Sequence, residues 1–270
     1  MHTYVKALAQ IASRYAPSRM LSFELVHIFK VFQLLNKNKH VSRALLCQEL
    51  LLGEGSVRTL IKHLKMQDLI YSTNQGTVLT EKGKIFSTSL VRSIPAESEI
   101  PQCSIALGKY NYAVLLNQAS FAINSGLEQR DASIKVGALG ATTLLYKDYK
   151  FIMPGTISSS LDRNDDFMEK KEEGSNIAKF LIEILQPKDN DVIIIGSDDD
   201  NLRTAEFGAK NAALFTIMNH ENHVHNWYYY FKRIFDNINN NTNEKALFTW
   251  ALFPYCDNLQ QTVLPFPYMF

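Results

Sequence analysis

Between Ser56 and Lys65 the chain sets Arg58, Thr59, Lys62, His63 and Lys65 among Val57, Leu60, Ile61 and Leu64. Wound as a helix, that spacing puts the four apolar residues on one face and the cations and hydrogen-bond donors on the other. Such a polar face suits base edges, which arginine engages in bidentate fashion, and phosphates, which lysine meets as a point charge. Asn74 and Gln75, in the turn-forming Thr73-Asn74-Gln75-Gly76, and Lys82 and Lys84, two positions apart just beyond it, extend the polar set toward a nucleic-acid backbone. Any single lysine here serves equally well as solvated helix surface. The group is set apart by charge: residues 1–95 carry a net +8 and residues 96–270 a net −7, hidden within a total of +1. A basic N-terminal part suits a polyanion, and the acidic remainder argues against a grip along the whole molecule.

Three further constellations carry reactive types. In Glu128-Gln129-Arg130-Asp131-Ala132-Ser133-Ile134-Lys135, helical spacing brings Glu128, Asp131 and Lys135 to one face while Arg130 points elsewhere. As a site it would bind a small charged metabolite. As scaffolding it is a salt-bridged first turn with its acids where the helix dipole favours them. Gly196, Ser197 and Asp198 open Gly196-Ser197-Asp198-Asp199-Asp200-Asn201 between an apolar run and a helical pattern, a position that suits a ligand loop. Three carboxylates repel phosphate, however, and acidic capping of the next helix explains the same residues. His220, His223 and His225 have the composition of a metal site but neither HExxH nor i, i+4 spacing. No GxGxxG or GxxxxGK[ST] occurs, and Cys47, Cys103 and Cys256 form no zinc or disulfide pattern. Neither a metal nor a cofactor is expected.

The elements that would position these residues follow from periodicity. Tyr4–Tyr15 has helical spacing and serves either to dimerise or to pack on its own domain. A helix over Phe23–Leu35 with Ser22 as N-cap precedes one starting after Ser42 and stopping at Gly53 and Gly55. The cationic helix runs from Ser56 to about Gln67. Leu69–Ser72 and Thr77–Leu79 form a hairpin whose turn draws on Asn74 and Gly76 for positive φ, and Thr80 opens a helix to about Arg92. Beyond the proline-bounded 96–102 segment, read as a linker, the pattern changes to strand (105–116), helix (126–138), hairpin (142–153), charged loop (161–173), helix (177–185), buried strand (191–196) and alanine-rich helix (204–217). That order predicts a two-layer α+β sandwich with its helices on one face.

Gly53-Glu54-Gly55-Ser56-Val57-Arg58-Thr59-Leu60 and Leu79-Thr80-Glu81-Lys82-Gly83, in a helix, helix, helix, hairpin, helix order, resemble the winged helix-turn-helix transcription regulators. With Ser125–Ala132, Gly140–Leu144, Met153-Pro154-Gly155 and Ile195-Gly196-Ser197, the stretch from about 20 to 217 resembles archaeal winged-helix proteins whose C-terminal part is an uncharacterised domain similar to the GAD domain of some aminoacyl-tRNA synthetases and amidotransferases. With it, the chain is expected to divide into a winged-helix domain over 1–95, a linker over 96–102, a GAD-like sensor or dimerisation domain over 103–217 and, from its composition, an aromatic-rich extension over 218–270. The resemblance implies a non-enzymatic, DNA-binding transcription regulator acting as a homodimer on double-stranded DNA, while a small charged effector is expected only from the Glu128, Arg130, Asp131 and Lys135 cluster. An enzyme built on Glu128, Arg130, Asp131 and Asp198, or an RNA- or tRNA-associated module, is the alternative. No apolar run approaches the roughly 20 residues that span a bilayer, so a soluble cytoplasmic protein is expected.

Overall fold

Two helices open the chain in the computed structural model, which describes residues 2–12, 21–154 and 172–219: α1 (His2–Ile11) and α2 (Leu25–Lys37). Val5, Leu8 and Ile11 of α1 are buried, and Tyr4 meets Phe86 edge-on at 5.6 Å, so the apolar face of α1 is spent on its own domain. α2 starts after Glu24, two residues later than expected, because the Glu24 backbone N–H donates to His27 Nδ1 at 2.9 Å. Its buried residues include Phe29, Phe32 and Val31, and also His27 and Gln33, which an amphipathic helix would leave in water. Something therefore covers its polar side as well.

α3 (Arg43–Leu50) begins where expected, the Ser42 hydroxyl accepting the Leu45 N–H at 3.1 Å. α4 (Glu54–Met66) begins two residues ahead of Ser56. The turn between them departs from the glycine-based expectation: the left-handed residue is Leu51, at φ 55°, while Gly53 stays at φ −63°. The hairpin pairs β1 (Ile70–Thr73) with β2 (Gly76–Leu79), and a single bridge from Val41 to Thr77 ties its edge to the start of α3. Positive φ falls on Gly76 and not on Asn74. α5 (Glu81–Val91) is capped by Thr80, whose hydroxyl accepts the Gly83 N–H at 2.9 Å and donates to the Asp68 carbonyl at 2.7 Å. A Cβ on Gly83 would stand 1.9 Å from the Leu69 carbonyl oxygen, so glycine alone lets α5 approach the root of the hairpin.

The 96–102 segment corrects the linker reading, since β3 (Ala96–Ile100) is the edge strand of a second sheet. It is followed by β4 (Tyr110–Leu116), α6 (Leu127–Ile134), β5 (Gly140–Lys147), β6 (Lys150–Ile152), α7 (Glu172–Leu185), β7 (Val192–Asp198) and a helix α8 over residues 202–219. The five strands lie in the order β3-β4-β7-β5-β6, every pair antiparallel. Val114, Leu116, Val192 and Ile194 point to a core shared with α6, α8 and the N-terminal helices. The alternating residues Ala113, Leu115, Ile193 and Ile195 meet Ile177, Leu181 and Leu185 of α7 on the other face. Helices thus cover both faces, which corrects the two-layer, one-face expectation and explains why β7 reads as an unbroken apolar run.

The molecule is α+β, with two antiparallel sheets. All described residues lie within one compact unit, Met1–Glu221. Of the expected charged loop at 161–173, residues 172 and 173 belong to α7, and the rest of it, with His220, His223, His225 and the aromatic extension, lies outside the described residues. No described helix is long and apolar enough to cross a membrane.

Candidate nucleic-acid interface

α4 buries Val57, Leu60, Ile61 and Leu64 as its spacing demands. At 100° per residue, Lys65, Arg58 and Lys62 then fall within an arc of about 60° along one flank. That flank faces β1, and between them runs a groove lined by Arg43, Arg58, Lys62 and Lys65, with Ile61 and Met66 supplying apolar surface and Ser72 the hairpin wall. The Glu54 carboxylate sits between the two arginines, accepting from Arg58 Nη2 at 3.1 Å and Arg43 Nη1 at 3.3 Å. The Arg58 hydrogen bond, then that of Arg43, holds the Glu54 carboxyl below its ordinary range. Lys62 and Lys65 have no such partner among the described residues, so the groove keeps a surplus of positive charge. Asn74 and Gln75 stand exposed at the hairpin tip, braced by the Thr73 hydroxyl, which accepts the Gln75 N–H at 3.2 Å.

The remaining members of the expected face are placed differently. Ser56 is half-buried, and the Thr59 hydroxyl donates to the Gly55 carbonyl at 3.0 Å. His63 is a correction: it is buried, its Nδ1 is 2.8 Å from the Ile11 carbonyl, and its ring stands edge-on to Phe23. It lies on the flank of α4 opposite the lysines, where the end of α1 covers it. Lys82 donates to the Gln67 carbonyl at 2.7 Å and Lys84 to Glu81 at 2.6 Å, which raises the Lys84 pKa; neither lines the groove.

In the C-terminal half, Arg130 pairs with Asp131 while Lys135 turns away to Glu24, so Glu128, Asp131 and Lys135 are not drawn to one point. Arg130 Nε and Nη2 both donate to Asp131 Oδ1, at 3.0 and 2.8 Å, and Lys135 reaches back to Glu24 at 3.1 Å. Glu128 is exposed. The loop reading of Gly196, Ser197 and Asp198 is likewise corrected, because all three are buried at the end of β7. A Cβ on Gly196 would lie 2.3 Å from the Ala205 carbonyl oxygen, so this glycine exists to let α8 cross the sheet closely. The Ser197 hydroxyl accepts the Leu107 N–H at 3.1 Å, and the Asp198 carboxylate accepts the N–H groups of Asp200 and Asn201, turning the chain into α8.

Sequence reasoning missed a buried charge cluster between the two halves. Lys210, fully enclosed on α8, donates to Glu206, to Glu97 at 3.0 Å and to Gln33 Oε1 at 2.7 Å, with the Phe29 and Tyr112 rings 6.0 and 5.4 Å away. Lys30 meets Glu206 at 2.7 Å. Burial alone would raise the Glu206 carboxyl, but Lys210 and Lys30 together hold it below the ordinary range; burial and the neighbouring carboxylates push the Tyr112 phenol far up. Arg203 adds a bond to the Gln48 carbonyl at 2.6 Å and an ion pair with Glu49 at 3.0 Å. These contacts clasp α2 and α3 to α8, while the α4 cations stay exposed among the described residues. Glu206 and Lys210 were legible as an i, i+4 pair on an otherwise alanine-rich helix, but their partners were not.

Comparison with known proteins matches two separate stretches of the chain. A family model described as the PH0730-like N-terminal domain matches residues 26–85, and one described as a domain of unknown function, DUF4443, matches residues 107–217. No curated protein matches the chain. Among solved structures, the hypothetical protein PH0730 from Pyrococcus horikoshii OT3 aligns with a TM-score of 0.51 and 24% identity, over 73% of this chain and 99% of that one. The chain is thus similar in its two parts to the PH0730-like N-terminal domain and to DUF4443, and it shares the fold of the archaeal protein PH0730.

Proposed function

We propose that this chain is a DNA-binding transcription regulator whose N-terminal part is a winged helix-turn-helix and whose C-terminal part is a GAD-like domain that dimerises, senses a small charged effector, or both. The observation that carries the reading is the groove between α4 and β1, where Arg43, Arg58, Lys62 and Lys65 face outward with one carboxylate among them. In this docking, α4 enters the major groove and the β1–β2 turn, with Asn74 and Gln75, follows the adjoining backbone as the wing. Lys62 and Lys65 meet phosphates, and Arg58, held by Glu54, is presented to a base edge. Because α2 and α3 are clasped to α8, the reading head moves with the C-terminal half as one body. An effector acts only if it binds one arrangement of paired heads more tightly than another.

Fluorescence anisotropy of the full chain on duplex DNA from its own upstream region and on a shuffled duplex, across a salt series, tests this. Specific binding with a steep salt slope is expected, and Lys62→Ala/Lys65→Ala lowers affinity on both duplexes and reduces the slope by about two. Equal slopes for parent and variant would remove the groove assignment.

A further inference from the structure

The side of α4 farthest from the core is the side a duplex meets first. At 100° per residue, Gly55, Thr59, Lys62 and Met66 fall within an arc of about 60° directly opposite the buried stripe of the helix. All four are exposed. Gly55 has no role in the fold that alanine could not fill: its φ is not positive, and a Cβ there would meet nothing within 4 Å. Glycine inside a helix is destabilising relative to alanine, and a close approach by something outside the chain is what offsets that cost. The Thr59 hydroxyl is spent on the Gly55 carbonyl at 3.0 Å, so it holds no free hydrogen for a base. Met66 follows Lys62 by one turn on the same ridge, lines the same groove as Arg58, Lys62 and Lys65, and is 55% exposed.

The outward pole of α4 is thus small or apolar except at Lys62, while its flank is cationic. Four cations against the single Glu54 carboxylate make a polyanion the complementary occupant. On a duplex, the flank answers the phosphates and the pole answers the base edges. Those edges are polar in the major groove apart from one group, the C5-methyl of thymine. A thioether side chain is apolar, unbranched and adaptable, so it packs on a methyl well. It is a poor acceptor for the amino hydrogens that cytosine would bring to the same place.

We propose that Met66 is a specificity-determining residue of α4 and that it selects thymine, its side chain packing on the C5-methyl group while Gly55 lets the bases come close to the helix. This deepens the DNA-binding reading above and rests on it. Lys62 and Lys65 then set affinity for any duplex, and Met66 sets preference among duplexes.

Fluorescence anisotropy of the full chain on its upstream duplex, and on the same duplex with every thymine replaced by uracil, tests the assignment, because uracil keeps the base pairs and phosphates and deletes only the methyl. The parent is expected to bind the uracil duplex about fourfold more weakly for each methyl that Met66 covers. Met66→Ala changes an exposed side chain to a strong helix former, so it should melt like the parent. It should also keep the parent's salt slope, bind the thymine duplex about fourfold more weakly, and no longer separate the two duplexes. The losses from the protein change and the base change are then not additive. A parent that binds both duplexes equally with a steep salt slope, or a Met66→Ala variant that keeps the parent's preference for thymine, would overturn the assignment and leave the groove reading standing. A parent with no salt-dependent binding to either duplex would overturn both.

Discussion

Replacing Lys210 with methionine keeps much of the side-chain volume of α8 and removes only the buried ammonium. In the parent that ammonium is fully enclosed and serves Glu206, Glu97 and Gln33 at once. Removing one member of a buried ion pair costs about 3–5 kcal/mol, because the other charge is left buried. Here the cost falls at the low end, about 3 kcal/mol, since Glu206 keeps Lys30 at 2.7 Å and Glu97 keeps the Gln33 amide at 3.2 Å. For a unit of this size that corresponds to a melting temperature lower by roughly 6–12 °C. Urea unfolding at neutral pH, followed by circular dichroism, measures it. Adding Glu206→Gln to Lys210→Met removes the charge that had lost a neighbour, so the double variant should lose at least about 1 kcal/mol less than the sum of the two single losses. A single-variant loss below about 1 kcal/mol, or strict additivity, would refute the view that these charges act as one buried unit.

Gly83→Ala, which drives a methyl into the Leu69 carbonyl, should destabilise the fold by about 1–3 kcal/mol, seen as a lower urea midpoint with an unchanged slope. Acid should act in two windows. Burial lowers the His27 pKa from its ordinary 6.5, outweighing the hydrogen bond from Glu24. The unfolded chain therefore takes up that proton first, and stability declines as pH falls below 6.5. A His27→Gln variant should lose this upper limb, and an unchanged limb would assign the titration elsewhere. Glu206 is depressed from 4.5 by Lys210 and Lys30, which outweigh its burial, so its contribution is complete above that value and is lost as pH falls further. Urea midpoints measured between about pH 8 and 2.5 separate the two limbs.

What was legible in the sequence was local. Ser42 and Thr80 announce helix starts because a hydroxyl acts on N–H groups two or three residues away, and the β1–β2 hairpin is read within ten residues. The four apolar positions of α4 are likewise set by helical period, and they place Arg58, Lys62 and Lys65 together before any fold is known. Leu51 shows where local signals mislead. Gly53 and Gly55 advertise a turn, yet packing of α3 against α4 puts the left-handed bend on a leucine.

Tertiary structure decided the rest, because each remaining choice depends on partners distant in sequence. Ala96-Glu97-Ser98-Glu99-Ile100 has the composition of a linker and becomes a strand only because β4 lies beside it. His63 is polar and falls outside the buried stripe of α4, but α1 covers its flank. Gly196, Ser197 and Asp198 read as a ligand loop until α8 closes over them. Lys210 and Gln33, 177 residues apart, meet only when α2 and α8 pack. The amino-acid order by itself determined the helices and hairpin of the N-terminal half and the cationic face of α4, since those follow from backbone period and capping. Which charges are buried and which cationic face stays exposed were decided by long-range packing, since burial is a property of neighbours in space.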